Sequence, residues 1–363
     1  MLRTRVTVLA GFLGAGKTTL LNALLRDTPE PLGVIVNDFG SINVDAALVS
    51  GKANVENEVA LQNGCICCTI RGDLLTALLS LTRRPDSPKH IIIEASGVSD
   101  PAGIVRTFID PRVAECVELA AVVGCVDPCE FPTLIEDDGS LASTQLRVCD
   151  FAVMTKADAS TPEQRAATTE LIARLAPRAR VVDSSLDAAP TALLLGAQGL
   201  WDEARTASSS SDAEQPHVHE VGGDRDHDHH HHHHHHNVHA FETWTYRSEH
   251  PLSAYSLRRA LSQLPRQVFR AKGFVHAAED PSVRLLVHVV GGRAELRDEG
   301  KWGEHPARTE LVFLGREGAL PVDALQTLLD GCLDDGRPAT EGFMDEMLGY
   351  FNRLLSGVPP QAH

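Results

Sequence analysis

Cysteine, aromatic residues and long apolar runs are all scarce in this chain. Eight cysteines in 363 residues are too few for a disulfide framework, and aromatic residues make up only 5% of the chain. No apolar run approaches the roughly 20 residues that a membrane-spanning helix needs. The apolar start "VTVLAGFLGAG" is short, broken by glycine and followed by Lys17 rather than by a cleavage site. These absences predict a soluble, cytoplasmic protein.

Basic residues are outnumbered by acidic ones. The chain has 33 lysines and arginines against 49 aspartates and glutamates, a formal net charge of −16. Because nucleic acids and anionic membranes are themselves negatively charged, this charge argues against both as partners. A length of 363 residues exceeds that of an ordinary single domain and predicts two domains with connecting material.

The N-terminal region carries a glycine-rich motif between a predicted strand and a predicted helix. Residues 5–10, "RVTVLA", are β-branched and apolar, and they lead into "GFLGAGKTTLLNALL". This stretch matches G-x-x-x-x-G-K-[ST], in which backbone N–H groups surround phosphates, the lysine contacts the terminal phosphates and the hydroxyl suits Mg²⁺. The predicted nucleotide-binding residues here are Gly11, Gly14, Ala15, Gly16, Lys17, Thr18 and Thr19.

Two further apolar runs, residues 32–40 and 90–97, each end in an acidic residue and a glycine. This pattern is typical of strands buried on both faces of a doubly wound, mostly parallel sheet. Glu94 is in position to hold the Mg²⁺ shell through water, and Gly97 can offer its N–H group to the γ-phosphate. We therefore predict that Lys17, Thr18, Glu94 and Gly97 form the catalytic centre.

The segment "TKAD" follows a fourth predicted strand and bears on the choice of base. In guanine-nucleotide proteins an N/T-K-x-D segment places an aspartate against the N1 and N2 donors of guanine. Asp158 would have that role, Lys156 would pack along the ring, and Thr155 stands where asparagine is commoner. The segment favours GTP over ATP.

Three of the eight cysteines, Cys65, Cys67 and Cys68, lie within four positions in "NGCICCTI". Soft thiolates select Zn²⁺ or Cu⁺, and three ligands without an obvious fourth fit an exchangeable metal site. A redox role is open because Cys65 and Cys68 have C-x-x-C spacing, and a structural role is a third alternative. The other cysteines, Cys116, Cys125, Cys129, Cys149 and Cys332, are expected to be small buried apolar residues.

Twelve of the 18 histidines lie between residues 217 and 239, in a stretch rich in serine and acidic residues. Such a composition predicts a disordered linker, which serves either as a polar spacer or as a loose site that collects Zn²⁺, Ni²⁺ or Co²⁺. The predicted accessory ligands are His217, His219, His227, His229, His230, His231, His232, His233, His234, His235, His236 and His239.

Beyond the linker the pattern predicts a strand, a helix, three strands and another helix, which is a small α+β unit. The predicted domains are a P-loop GTPase domain at 1–200, a linker at 201–239, a C-terminal α+β domain at 240–335, and a helix and tail at 336–363.

Taken in order, "GFLGAGKTTLLN", "NDFG", "GCICC", "EASGVSDP", "TKAD", "RAKGFV" and "ELVFLGR" resemble the CobW family of P-loop GTPases. This group includes the zinc-regulated GTPase metalloprotein activators. The resemblance implies GTP hydrolysis coupled to metal delivery, with Zn²⁺ bound at the C-x-C-C motif and passed to a client apo-metalloprotein. The family usually has N-E-F-G-E in its switch, so a switch carboxylate that binds GTP or Mg²⁺ is kept at Asp38 and lost at Ser41.

The leading hypothesis is a GTPase that acts as a zinc metallochaperone, with GTP, Mg²⁺ and Zn²⁺ as its ligands. Passive zinc storage and delivery of cobalt or nickel are the alternatives, and Asp158 argues against a small-molecule kinase. No water-orienting glutamine or arginine is assignable, so slow intrinsic turnover is expected. The sequence is compatible with a homo-oligomer.

Overall fold

The computed structural model describes residues 3–28, 32–36, 57–60, 69–85, 87–184, 190–196, 217–218, 241–303 and 305–334, with the backbone alone at 57–60, 69–73, 138 and 217–218. These residues form two compact units. The first includes the described residues up to Gly196, and the second includes His217, Val218 and those from Phe241 onward. No helix within these ranges is both long enough and apolar enough to cross a membrane.

The first unit is built on a seven-stranded sheet. Its strands are β1 (Thr4–Ala10), β2 (Leu32–Val36), β3 (Asn57–Ala60), β4 (His90–Glu94), β5 (Val117–Val126), β6 (Phe151–Met154) and β7 (Arg180–Asp183). Their order across the sheet is β3-β2-β4-β1-β5-β6-β7, and every neighbouring pair is parallel. The predicted doubly wound parallel sheet is confirmed.

Within the described residues, helices follow β1, β3, β4, β5, β6 and β7, since parallel neighbours need crossover connections. They are α1 (Lys17–Asp27), α2 (Thr69–Thr82), α3 (Pro101–Thr107), α4 (Pro111–Ala114), α5 (Phe131–Asp138), α6 (Ser140–Arg147), α7 (Pro162–Leu175) and α8 (Thr191–Leu195). Local signals fix several of their starts. Asp100 and Asp110 cap α3 and α4 ahead of a proline, and Thr161 and Gln164 form a reciprocal capping box at α7.

The central strands are buried on both faces, which explains their continuous apolar sequence. All five residues of β2 and all five of β4 are buried. Register places Val8 beside Ile93 and Leu9 beside Glu94, so β1 and β4 end together at one edge of the sheet. The residues that follow those strand ends are therefore brought to one place.

The second unit is a six-stranded antiparallel sheet with the order β12-β11-β10-β13-β9-β8. Its elements are β8 (His217–Val218), β9 (Phe241–Ser248), α9 (Ala254–Leu261), β10 (Val268–His276), β11 (Val283–Val290), β12 (Arg293–Lys301), β13 (Thr309–Arg316) and α10 (Val322–Asp330). Alternate residues of the strands form one face of the sheet. Ala271, Val287 and Phe313 on this face share a core with Leu257 of α9 and Leu328 of α10. The predicted α+β unit is confirmed.

Two sequence predictions about this unit need correction. Three strands were expected between the two helices, but there are four, because the run from Val283 to Arg297 is a hairpin of β11 and β12 that turns at Gly291 and Gly292. Gly291 has φ 56°, a conformation that glycine adopts without steric cost. The expected disorder of 201–239 is also wrong at His217 and Val218, which pair antiparallel with β9.

Several predictions lie outside the described residues. These are Asp38, the three clustered cysteines, the histidine tract beyond His217, and the helix predicted in the C-terminal tail.

Candidate functional site

The glycine-rich loop of residues 11–16, the predicted phosphate loop, joins β1 to α1 at the carboxyl edge of the parallel sheet. Gly11 has φ 134°, and a Cβ there would lie 2.5 Å from the carbonyl oxygen of Cys125. Gly16 has φ 84°, and a Cβ there would lie 3.2 Å from the Cβ of Thr155. Only glycine fits both the backbone angles and the space at these two positions. Gly16 is the N-cap of α1 and makes no side-chain cap, and the first turn has no acidic residue, an arrangement that suits a bound anion.

Lys17 lies inside the curve of this loop. Its side chain is buried, and Nζ donates to the carbonyl oxygens of Gly11 and Phe12 at 3.1 and 3.2 Å. Both hydrogen bonds described for this ammonium group go to backbone carbonyl oxygens, so neither of them is to a charge partner. An anionic phosphate at the loop would supply that partner.

Thr18 and Glu94 meet across the space between the loop and β4. The Thr18 hydroxyl donates to Oε1 of Glu94 at 2.7 Å, and Glu94 is 1% exposed. One hydroxyl and one carboxylate, both oxygen donors, are the ligand types that Mg²⁺ prefers. The donor set therefore fits the magnesium ion that a P-loop nucleotide brings with it.

Gly97 lies against the phosphate loop. A Cβ at Gly97 would be 2.8 Å from the backbone nitrogen of Leu13 and 3.1 Å from Nζ of Lys17. No larger side chain fits there without displacing the loop. The backbone of Gly97 is thus next to the ammonium group that would bind the terminal phosphate.

The segment that follows β6 approaches the same loop from the other side. The Thr155 hydroxyl bonds the carbonyl oxygen of Ala15 at 2.7 Å and that of Val126 at 3.1 Å. Thr155 is therefore occupied in supporting the phosphate loop. Asp158 is exposed in a 3₁₀ turn, Ala157–Ala159.

Asp127 positions Lys156 and was not among the residues predicted from the sequence. Its Oδ2 accepts from Nζ of Lys156 at 2.6 Å, and its Oδ1 accepts from the backbone N–H of Cys129 at 3.0 Å. Lys156 is the only described non-glycine residue with positive φ, at 54°. Asp127 follows the buried strand β5, so the signal that identified Glu94, an acidic residue after an apolar run, was also present here.

Gln145 of α6 is a second residue that the sequence did not reveal. Its Nε2 donates to the carbonyl oxygens of Gly97 and Ser99, both at 3.0 Å. These partners are 48 and 46 positions away in the chain, so no local pattern indicates the contact.

A cavity of about 340 Å³ lies beside the phosphate loop, between it and helices α5 and α6. Phe12, Leu13, Phe131 and Leu134 contribute much of its apolar lining. Cys125 is also among the lining residues, and burial raises the pKa of its thiol to about 12, so this thiol stays protonated at neutral pH.

Among the described residues, no group of three or more histidine, cysteine, aspartate or glutamate side chains could hold a metal ion. Cys125, Cys149 and Cys332 are buried as expected, whereas Cys116 and Cys129 are only partly buried. All five are free thiols. The predicted zinc ligands Cys65, Cys67 and Cys68 remain a prediction.

Two protein-family models match the chain. The model described as the CobW/HypB/UreG nucleotide-binding domain matches residues 5–183, and the model of the cobalamin synthesis protein cobW C-terminal domain matches residues 241–333.

Curated relatives match along most of the chain. A protein named zinc chaperone CobW from Sinorhizobium sp is 30% identical over 337 residues, which cover 85% of this chain and 92% of that protein. A zinc-regulated GTPase metalloprotein activator 1 from Dictyostelium discoideum is 27% identical, covering 90% of this chain and 79% of that protein. Zinc chaperone YjiA from Escherichia coli is 27% identical, covering 90% of this chain and 98% of that protein.

Proposed function

The chain belongs to the CobW/HypB/UreG family of P-loop GTPases, and on that basis we propose that it hydrolyses GTP in order to deliver zinc to a client metalloprotein. The observation that carries the nucleotide part of this proposal is the meeting of Lys17, Thr18, Glu94 and Gly97 at one edge of the parallel sheet. The relatives named zinc chaperones support the metal part.

Each residue of this edge has a separate task in the proposal. The N–H groups at the start of α1 and the ammonium group of Lys17 hold the phosphates and offset their charge. Thr18 and Glu94 hold Mg²⁺, which neutralises charge on the phosphates when it is bound. Gly97 offers its N–H group to the γ-phosphate, a group that GDP lacks. Thr19, Gly14, Ala15 and Asp38 complete the predicted contacts.

Recognition of the base rests on the segment after β6. Asp158 accepts from the N1 and N2 donors of guanine, and Lys156, held by Asp127, packs along the ring. An exposed carboxylate is well suited to this role because it is available to a ligand that arrives from solvent.

Zinc is the cargo in this proposal, carried by Cys65, Cys67 and Cys68. Three thiolates leave one coordination position for a client ligand, which allows transfer. The motif precedes α2, whose C-terminal end leads toward β4 and Glu94. We infer that the nucleotide state alters the geometry of the cysteines and so their affinity for zinc.

The domain division remains part of the proposal. The GTPase domain comprises 1–200, the linker 201–239, the C-terminal domain 240–335 and the tail 336–363. The C-terminal domain is assigned to client docking or regulation, and the histidine tract to collection of metal for the cysteines.

The experiment that tests the function measures GTP hydrolysis by the full chain with Zn²⁺, Co²⁺ or Ni²⁺. Wild type is compared with Cys67→Ala, and Cys332→Ala is the matched control because Cys332 is a buried free thiol in the second unit. We expect zinc to change the rate in wild type and in the control but not in Cys67→Ala.

The same experiment distinguishes the alternatives. Hydrolysis that responds to Co²⁺ or Ni²⁺ and not to Zn²⁺ would indicate delivery of those metals. Zinc binding without any GTP hydrolysis would indicate storage. Equal zinc affinity with a GTP analogue, with GDP and without nucleotide would contradict the proposed coupling, because linked sites must affect each other reciprocally.

A further inference from the structure

Gln145 is a buried polar side chain of α6 that contacts the loop after β4, where Gly97 lies against the phosphate loop. It is 2% exposed, and both of its described hydrogen bonds are donated to one short loop, at the carbonyl oxygens of Gly97 and Ser99. Its own Oε1 is buried without a hydrogen-bond partner. Burying an amide oxygen in this way costs free energy, so apolar packing alone does not explain why glutamine stands here.

The loop that Gln145 contacts is a closed turn. The backbone N–H of Ser99 donates to the carbonyl oxygen of Ser96 at 3.0 Å, and the Ser99 hydroxyl donates to the same oxygen at 2.9 Å. An N–H bond from residue i+3 to the carbonyl of residue i defines a β-turn. The turn of residues 96–99 is thus fixed internally by Ser99 and anchored to α6 by Gln145.

These contacts determine the direction of one N–H group. A peptide unit is planar, so the carbonyl of Ser96 and the N–H of Gly97 lie in one plane and point in opposite directions. Ser99 holds that carbonyl, and Gln145 holds Ser99 and the carbonyl of Gly97. The orientation of the Gly97 N–H group therefore depends on Gln145.

Gly97 lies beside Lys17, since a Cβ at Gly97 would be 3.1 Å from Nζ of Lys17, the group proposed to bind the terminal phosphate. We propose that Gln145 is a positioning residue that holds the 96–99 turn in place for the γ-phosphate and so sets the preference of the protein for GTP over GDP. This inference rests on the proposed GTPase function. It assigns a role to a side chain of α6 that contacts the turn and also lines the cavity beside the phosphate loop.

The proposal predicts a selective effect. GDP has no γ-phosphate, so its contacts with the start of α1 and with Asp158 do not depend on the turn. GTP needs the Gly97 N–H group in place, and a turn that must be ordered on binding reduces affinity. Loss of the anchor should weaken GTP binding and leave GDP binding unchanged.

The test uses the full chain with Gln145→Met, which keeps the length of the side chain, removes both donated hydrogen bonds and places an apolar group in a buried position. Ile172→Ala is the control, since Ile172 is fully buried in α7, within the core cluster that also contains Leu146 of α6. It removes core packing without removing a contact to the turn. Binding of GDP and of a non-hydrolysable GTP analogue is measured for each protein.

We expect Gln145→Met to bind the GTP analogue about tenfold more weakly than wild type, which is within the range usual for coupling between two sites. Its affinity for GDP should stay within about twofold, and Ile172→Ala should keep the wild-type ratio of the two affinities. The proposal would be overturned if Gln145→Met kept the wild-type ratio of GTP-analogue affinity to GDP affinity, or if Ile172→Ala changed this ratio equally.

Amide hydrogen exchange of the nucleotide-free proteins separates this inference from the function on which it rests. Exchange within residues 96–99 should be faster in Gln145→Met than in wild type or Ile172→Ala. Equal exchange in all three proteins would overturn the anchoring role. A wild-type protein that binds neither nucleotide would instead refute the proposed function.

Discussion

The Thr155 hydroxyl connects the segment after β6, which is proposed to bind the base, to the phosphate loop. It bonds the carbonyl oxygens of Ala15 and Val126, and its side chain also limits the space at Gly16. A threonine stands here where asparagine is commoner in this segment, and its contacts explain how the shorter side chain is used. Thr155 therefore stabilises the phosphate loop through its hydrogen bond to Ala15.

Replacing Thr155 with valine should weaken the site without changing its shape. Valine has nearly the same volume but cannot donate to the buried carbonyl of Ala15. We expect the free energy of unfolding to fall by about 1–2 kcal/mol, the cost of a buried group left without its partner. We also expect both GTP and GDP to bind more weakly, since the loop is proposed to contact phosphates that the two nucleotides share. Urea unfolding and nucleotide titration measure these effects.

The control for this change is Thr169→Val. The Thr169 hydroxyl also bonds a backbone carbonyl, that of Arg165, but on the exposed surface of α7. This substitution should change the free energy of unfolding by about 0.5 kcal/mol or less. A similar loss in both variants would show that the position of Thr155 at the loop has no special importance.

At the scale of single elements, β11 contains a histidine in a strongly basic setting. His288 lies opposite Lys272 of β10 and Glu295 of β12. Burial lowers the pKa of His288 well below 6.5, and the neighbouring charges of Arg270, Arg293, Lys272 and Arg297 lower it further. His288 is therefore neutral in the folded protein at neutral pH.

This pKa makes stability depend on pH. Below pH 6.5 the unfolded chain binds a proton at His288 that the folded chain does not, so the free energy of unfolding falls as the pH drops from 6.5 toward the folded pKa. The slope from one proton is at most about 1.4 kcal/mol per pH unit. We expect His288→Gln to lose this dependence in urea unfolding measured between pH 7 and pH 5.

The control is His250→Gln, which replaces an exposed histidine in the loop after β9. This variant should keep the wild-type dependence on pH. A His288→Gln protein with the same dependence would show that other groups account for the loss of stability in acid.

The sequence predicted some elements well and others poorly. β2 and β4 were predictable because strands buried on both faces have continuous apolar sequence. The hairpin of β11 and β12 was missed although two glycines mark its turn, because apolar residues continue on both sides of it. Periodicity alone did not separate one long strand from two.

At the scale of the whole molecule, changing the histidine tract separates the collection of metal from the hydrolysis of GTP. Residues 227–236 contain nine of the chain's 18 histidines. A variant with glycine and serine at these ten positions keeps the chain length and leaves β8 in place. We expect it to bind less zinc per chain, as measured by equilibrium dialysis, because imidazoles are zinc ligands.

GTP hydrolysis measured with Mg²⁺ and without added zinc should be unchanged in that variant. The tract supplies none of the residues proposed to contact the nucleotide. Unchanged zinc stoichiometry would contradict the role in collecting metal and leave the tract as a spacer, and a large loss of hydrolysis would contradict the separation of the two roles.

The sequence by itself determined the local parts of this protein. The strand, glycine loop and helix that are proposed to hold the phosphates are contiguous, so glycines, Lys17 and Thr18 identified them without a structure. Its composition also identified the histidine tract and the cluster of cysteines. These features depend on neighbours in the chain, and their meaning can be read from residue type and spacing.

Only the tertiary structure decided which distant residues support the site. Thr155 and Ala15 are 140 positions apart, and Gln145 and Gly97 are 48 positions apart. Each pair meets because parallel strands bring their carboxyl ends to one edge and the helices return between them. A contact of this kind has no spacing rule along the chain, since the sheet order, rather than the sequence order, sets which side chains become neighbours.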